Sequence, residues 1–477
     1  MSFIAKSILI ALVFFLLNLV NEINLVFAND IIWSKVDSPI IITEKLHILS
    51  NTKLIISHGV TILFEKNSSL EIYGSLIAIG KKDSLILFQT KNDHETWSGL
   101  HFYEGNNSAF EYVHISDVSN GKYDANGAIS LKNYQNFNIK NSTFTDNFSD
   151  FGGAINISNS SITIENTNFR KNTARLKGAA IYIENDSKFQ ILNCEFFHNN
   201  SDYFGGAIYF WNQNFGEIIG SVFAKNNTLN GGAFAFSDSE INMINNTITQ
   251  NSANYGGGIW LSSNSKVTVT NSIIWNNIAA LGNQIYRNDD KSTINFFYCN
   301  LENGSDDLID ANQNHLIVNR SINQFDNPIF MDVKTDIYHL QSSSSCINSG
   351  SPETEKLTLP EFDIAGNIRI IEKRIDIGAY ERKKYDSKNN IIIQYKLFYL
   401  NYSSDFDIKK EIEYNVNEST DIKIMIFNKD GDILQNIYFN DVESGSHTYK
   451  WDGYNLNNEV NNEGYYFYRV ITLDREQ

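Results

Sequence analysis

Several residue types are scarce in this chain of 477 residues. Proline occurs four times and cysteine three times, where proline usually makes up about 5%. Charged residues reach 19% against a usual share of about 25%. Three cysteines cannot form a disulfide framework, and an odd count leaves at least one thiol unpaired or paired between molecules. A chain with so little proline keeps its backbone donors for hydrogen-bonded ladders. Basic charge is short as well: 38 Lys and Arg face 55 Asp and Glu, a formal net charge of −17. An acidic surface repels a phosphate backbone, which excludes nucleic-acid binding on bulk electrostatics. Hydrophobic and aromatic residues, at 42% and 13%, are plentiful, so wholesale disorder is excluded. Abundant Asn, Ile, Phe and Tyr point to extended sheet. Length alone suggests roughly three domains, a number that internal repetition lowers.

The one long apolar run is at the start. Lys6 precedes Ile8 to Val20, broken only by Asn18, and Val26-Phe27-Ala28 supplies a small residue suited to signal-peptidase cleavage. The run is shorter than the roughly 20 apolar residues of a membrane span, so a secretory signal peptide is expected, with the mature chain starting at Asn29 and exported. The nearest cysteine is Cys194, so no lipoprotein motif follows. No later segment is apolar enough to span a membrane as a helix. A Cys299–Cys346 disulfide stays open as an alternative, and small buried residues are the preferred role for all three cysteines.

One unit recurs along the middle of the chain. Its first marker is a Gly-rich tetrad ending at Ile129, Ile155, Ile181, Ile208, Phe234, Ile259 and Ile285, in steps of 26, 26, 27, 26, 25 and 26. Its second is an aromatic residue or Ile followed three positions later by Asn: Phe144/Asn147, Phe169/Asn172, Phe196/Asn199, Phe223/Asn226, Ile248/Asn251, Ile274/Asn277 and Phe297/Asn300. Apolar residues alternate within each unit, as in Ile155 and Ile157 or Ile162 and Ile164, the period of a strand with one buried face. Each unit offers three short strands, and equal units without helical periodicity stack as coils of a parallel solenoid. Asn141, Asn166, Asn193, Gly220, Asn245 and Asn271 stand three residues before the aromatic marker. Asn and Gly enter left-handed backbone at small cost, so these are the expected corners, and Asn141, Asn166, Asn193, Asn245 and Asn271 the expected amide ladder. Ser142, Thr167, Cys194, Ser221, Asn246 and Ser272 run beside them as a file of small side chains. Leu54, Ile56, Val60, Ile62, Phe64 and the alternating stretch from Leu70 to Gly80 read as irregular entry coils.

The Gly-Gly-Ala-Ile and Phe-x-x-Asn tandem resembles the repeats of polymorphic outer-membrane proteins and of bacterial right-handed parallel β-helix proteins. Asn327-Pro328-x-Phe330, Cys346-Ile347-Asn348-x-Gly350-x-Pro352, Asp363-x-x-Gly366-x-x-Arg369 and Asp376-Ile377-Gly378-Ala379-Tyr380-Glu381 look like the closing module that such surface proteins carry after the last coil. The resemblance covers about Ile40 to Glu381 and implies an exported surface β-helix. The residues after Glu381 are too few for the translocator barrel of polymorphic outer-membrane proteins, so autotransport is not expected. From about Ile391 longer strands are joined by turns such as Lys429-Asp430-Gly431-Asp432, which reads as a small antiparallel sandwich. Trp451-Asp452-Gly453 with Gly464-Tyr465-Tyr466-Phe467-Tyr468-Arg469 resembles the immunoglobulin-like domain of flagellar hook-capping proteins. A structural cap is preferred here over a secretion signal.

The expected fold is all-β, a right-handed parallel β-helix followed by a small antiparallel β-sandwich. Its expected organisation is a leader over 1–28, entry coils over 29–120, regular coils over 121–300, a closing module over 301–385 and an immunoglobulin-like sandwich over 386–477. Catalysis on such a scaffold needs two or more carboxylates, often with Arg or Lys, converging on one outward face. The outward files Asn138, Thr163, Gln190, Glu217, Asn242, Thr268 and Thr143, Asn168, Glu195, Val222, Thr247, Ile273 hold one Glu each, so Glu195 and Glu217 read as solvated charges. Asp363, Arg369, Arg374 and Asp376 are denser in charge and read as turn caps and ion pairs. No cofactor motif is present, no histidine spacing suits zinc, and Asp289-Asp290 and Asp306-Asp307 read as polar loops rather than calcium sites. The residue after each tetrad is expected to face outward, and Tyr182, Tyr209, Trp260 and Tyr286 would form an aromatic ladder open to sugars or to a neighbouring or host cell surface. Stacking that merely stabilises the sheet, worth about 0.2–1 kcal/mol per pair, is the alternative. The functional expectation is a non-catalytic surface protein for adhesion or glycan binding, and its rival is a polysaccharide lyase or glycoside hydrolase on a pectate-lyase-like β-helix.

Overall fold

The computed structural model describes residues 30–120, 126–370 except 317, 320, 321 and 342, 374–382, 394–400, 410–416, 419–428, 433–451, 453–454 and 464–473. The leader, the turn at Lys429–Asp432 and Asp452 lie outside them. Two compact units, Met1–Arg382 and Lys383–Gln477, divide the chain. Among the described residues no helix is long and apolar enough to cross a membrane.

The first unit is a parallel β-solenoid. A regular coil contains four strands, for example Ile155–Ser158, Ser161–Glu165, Asn168–Arg170 and Thr173–Lys177. The first two join a 20-stranded sheet and the third an 11-stranded sheet that takes one strand from each of eleven coils. The fourth pairs in short ladders of three and two strands. Three strands per unit were legible because their apolar alternation recurs from coil to coil; the fourth, Phe148-Ser149-Asp150-Phe151, Thr173-Ala174-Arg175-Leu176-Lys177 and Ser252-Ala253-Asn254-Tyr255, shares no common apolar pattern.

The tetrad residues stack in register, Ile155 on Ile181 on Ile208 on Phe234 on Ile259. The aromatic markers do the same inside the second sheet. Phe144, Phe169, Phe196 and Phe223 are fully buried, with successive ring centroids 5.1, 4.7 and 4.5 Å apart and nearly parallel. Truncating one such ring to alanine costs about 3–5 kcal/mol.

The expected corners are left-handed: φ lies between 48° and 52° at Asn141, Asn166, Asn193, Asn245 and Asn271 and is 64° at Gly220. The amide ladder, however, is elsewhere. Along the expected file one amide rung is present, Asn271 Nδ2 to Asn245 Oδ1 at 3.2 Å. The continuous ladder is the buried file three residues after each aromatic marker, where Asn147, Asn172, Asn199, Asn226 and Asn251 each donate Nδ2 to the next Oδ1 at 2.9–3.1 Å, the last accepting group being Asn277. The cause is direction. The corner Asn side chains point away from the coil interior, whereas the later Asn follows a left-handed residue such as Lys171 or His198 that turns it inward. The small-residue file forms a second ladder, in which a backbone N–H of one coil donates to the next side chain, as Cys194 N to Ser221 Oγ and Ser221 N to Asn246 Oδ1, both 3.0 Å. Cys194, Cys299 and Cys346 are all buried free thiols. Cys346 Sγ accepts from Asn300 Nδ2 at 3.0 Å.

After the strand Leu308–Asp310, Leu316, Val318 and Phe325 pack on the end of the core. The rest of the closing module does not plug that end. It runs back along the flank and covers the outward face of the second sheet, with Tyr338, Ala379 and Tyr380 on Phe197, Val222 and Ala224 and with Leu340, Cys346 and Ile377 on Ile273. This explains the apolar Val222 and Ile273 in a file expected to face solvent. The corner Asn residues serve as its docking strip. Asn193 donates to Phe362 O at 3.0 Å, Asn245 to Asp376 O at 2.9 Å, and Asn271 Oδ1 accepts from Ser351 N at 2.7 Å. Gly220 interrupts the Asn file because a Cβ there would meet the Arg369 guanidinium and Asn193 Oδ1.

The second unit has an antiparallel four-stranded sheet and a two-stranded one. Ile412, Tyr414, Val416 and Trp451 of the small sheet share one core with Ile422, Ile424, Ile426, Tyr466, Tyr468 and Val470 of the large one, the arrangement of a small sandwich.

Candidate functional site

Tyr182, Tyr209, Trp260 and Tyr286 do form a ladder pointing out of the coil interior. Tyr182 stacks on Tyr209 with centroids 5.7 Å apart, and Ala235 stands between Tyr209 and Trp260 in register. The ladder is not open to a ligand, contrary to expectation: its members are only 4, 4, 7 and 8% exposed. The physical reason is the left-handed glycine opening each tetrad, such as Gly205 at φ 65°. It folds the preceding side chain back over the sheet, so that Phe151, Phe204 and Leu281 cover the rings. Phe204 fills the gap at Ala235, with its ring 5.6 Å from Tyr209 and 5.0 Å from Trp260. Lys177 Nζ sits 4.8 Å over the Tyr209 ring, and burial pushes the Tyr209 hydroxyl up to about 12.

The open face is the second arm of the first sheet. There Asn138, Thr163, Gln190, Glu217, Asn242 and Thr268 stand in register on successive coils. Across four of those coils runs a groove of about 610 Å³, lined by residues 136–138, 161–163, 188–190 and 215–217. Phe215 stands in it half exposed, at 50%. Just upstream, Asn212 and Gln213 are both left-handed and the register shifts between Trp211 and Asn214. This wide corner leaves Trp211 43% exposed. The amide and hydroxyl file was visible in the sequence, but Phe215 and Lys188 were missed. The pattern there is inverted, with Phe on the outer face and Gly216 on the inner one, because the Phe189 ring occupies the place of a residue-216 side chain.

A family model for a right handed beta helix region matches residues 29–223 and, in an overlapping second match, 153–349. The chain belongs to the right-handed β-helix family. None of the curated proteins matches. Among solved structures, the crystal structure of FLGD from P. aeruginosa is similar over 16% of this chain and 71% of that one, at 15% identity and a TM-score of 0.13, values that carry no argument.

This β-helix also carries two charged clusters, both where the closing module meets the coils. In the first, Asp336 of the module is held by Lys225 Nζ at 2.6 Å, His198 Nε2 at 3.5 Å and Arg170 Nη1 at 3.9 Å. Arg170 Nη2 also bonds Glu195 at 3.1 Å. Glu195 is therefore a half-buried paired group and not the solvated charge expected. Burial raises its pKa, while the Lys225 and His198 bonds outweigh burial at Asp336 and lower that pKa. In the second cluster Arg369, 2% exposed, lies 3.6 Å from Glu381 and bonds Ala379 O at 3.0 Å and Asn193 Oδ1 at 3.2 Å. Asp363 accepts from the Asn367 and Glu381 backbone, and Asp376 from that of Asn348 and Arg382. With three carboxyls buried around one guanidinium, Glu381 is pushed up to about 9, by burial first and Asp376 second. Asp289 is spent on the Lys291 and Ser292 turn, and Asp307 accepts from Asn283 and Asn303.

Proposed function

We propose that this β-helix is an exported, non-catalytic surface protein that holds a linear glycan in the groove across its first sheet. The carrying observation is the groove itself, where Asn138, Thr163, Gln190 and Glu217 line up on four coils beside half-exposed Phe215. Amide and hydroxyl side chains both donate to and accept from sugar hydroxyls, and the Phe215 face suits the C–H side of a pyranose. Coils repeat about every 4.8 Å, so a polymer lying along the axis meets one polar side chain per step. A glycan array with calorimetry on the hits tests this. Phe215→Ala should weaken binding about fivefold to tenfold, or about 1–1.4 kcal/mol, and a wild-type chain that binds no glycan refutes the reading. The leader before Asn29 and the resemblance to polymorphic outer-membrane protein repeats support export and surface display for adhesion to a neighbouring or host cell. N-terminal sequencing of protein from the culture medium or cell surface should begin at Asn29, and an uncut chain retained inside the cell refutes export.

One observation favours the enzymatic rival. Glu195 and Asp336 share Arg170 and have pKa values displaced in opposite directions, as an acid and a base of a glycosidase pair would. Against it, every one of these carboxylates is engaged by a cation of the same cluster, and the cluster pins the closing module. Release of reducing ends or unsaturated products from uronate polysaccharides, abolished by Glu195→Gln, would establish the rival.

A further inference from the structure

Charged side chains on the open arm of the first sheet are mostly paired with one another. Lys140 bonds Glu165 at 2.6 Å and Lys266 lies 3.7 Å from Glu240. Lys188 and Glu217, both lining the groove, have no side-chain partner among the described residues. Lys188 stands opposite Phe215 and Glu217 opposite Gln190, so the two residues are diagonal neighbours on adjacent coils, their backbones about 7–8 Å apart. No ion pair joins their side chains among the described residues, and Phe215 is adjacent to both on that face. Closing a ligand over the groove strips water from an ammonium and a carboxylate that nothing in the protein compensates. A ligand bringing the opposite two charges recovers that cost. A polyanion would satisfy Lys188 alone and meet both Glu217 and a chain of net charge −17; a polycation would meet Lys188.

We infer that the groove selects a glycan carrying a carboxylate and an ammonium on neighbouring sugars, the carboxylate against Lys188 Nζ and the ammonium against the Glu217 carboxylate. This rests on the glycan reading of the same groove. The test is calorimetry at pH 6 on the full chain with four hyaluronan-derived hexasaccharides: N-deacetylated, which holds both charges; the N-acetylated parent, with carboxylate only; the N-deacetylated and carboxyl-reduced form, with ammonium only; and the neutral carboxyl-reduced parent. The doubly charged form should bind tightest, losing about 3–5-fold for each charge removed, the size of one exposed ion pair. Lys188→Met should bind the N-deacetylated form and its carboxyl-reduced derivative alike. Glu217→Gln should no longer separate the N-deacetylated form from its parent. Neither side chain has a structural partner, so both variants should melt with the wild type. Equal binding of all four, or tightest binding of the parent, overturns this inference and leaves the glycan reading standing. Binding of none of the four overturns this inference, and only silence across the whole glycan array overturns the glycan reading as well.

Discussion

Replacing Asn199 with alanine should destabilise the solenoid by about 1–3 kcal/mol, because it leaves a buried backbone donor without a partner. Asn199 is fully buried. Its Oδ1 accepts from Asn172 N at 3.0 Å and Asn172 Nδ2 at 3.1 Å, and its Nδ2 donates to Phe169 O at 3.0 Å and Asn226 Oδ1 at 2.9 Å. After truncation Asn172 Nδ2 still reaches Phe144 O and Asn226 Oδ1 still receives Asn199 N. The group that loses out is the buried Asn172 N–H, whereas the Phe169 carbonyl keeps its ladder bond to the paired strand of the next coil. The matched control is Asn166, a corner whose side chain is exposed and whose φ is 48°. There alanine should cost only the left-handed penalty of about 1–2 kcal/mol, and glycine close to nothing. Urea unfolding followed by tryptophan fluorescence, comparing midpoints at constant slope, measures both. A loss below about 0.5 kcal/mol at Asn199, or a larger loss at Asn166 than at Asn199, would refute the assignment of the ladder to the buried file.

Three further outcomes follow from the closing module and the aromatic ladder. Glu381 has a folded pKa of about 9, above its value of about 4.3 in an unfolded chain. Its contribution is full below the lower value and is lost as pH rises towards the higher one. Glu381→Gln should therefore gain stability over wild type between pH 5 and 9, read by thermal shift across that range, and a constant difference would refute the buried proton. Gly220→Ala places a methyl on the Arg369 guanidinium in a left-handed corner; above the backbone cost of about 1–2 kcal/mol it should loosen the module, seen as faster proteolysis within residues 327–382, and an unchanged cleavage rate counts against the docking strip. Trp260→Ala should cost about 3–5 kcal/mol of stability without altering glycan affinity, whereas an open ladder would show the reverse.

The repeat was legible because two chemistries recur in phase. Inward Ile and Phe must stack in a core only one coil thick, and one left-handed corner is held by Asn or Gly on six successive coils, so strand faces and that corner could both be read from spacing. The ladder was placed one marker too early for a local reason. Asn141 and Asn147 are both Asn near a corner, and what separates them is that Asn147 follows the left-handed Asp146, a position where the sequence shows Asp, Lys, His, Lys, Gln and Asn and hence no pattern. The fourth strand was missed because it needs no apolar alternation: its pairing partners are the same segment of the coils above and below.

Alternation reports which side chains leave the coil interior, and that is a different property from meeting solvent. Tyr182 and Val222 both leave the interior, yet one lies beneath Phe151 and the other beneath the returning module. Each cover comes from a segment without period, so the sequence gives no warning at the covered position itself. The converse sign is local and readable. Covered outward positions include the aromatic and aliphatic Tyr182, Tyr209, Val222 and Ile273 beside Thr247, whereas the polar file from Asn138 to Thr268 is exposed or partly exposed throughout. By that contrast the lone exposed Phe215 within a polar file is the exception, an apolar ring on a face that nothing covers. A face kept polar on the coils around that ring is what a ligand made of alternating apolar and hydroxylated surface requires, and that is why the proposed binding is assigned to the groove and not to the buried ladder.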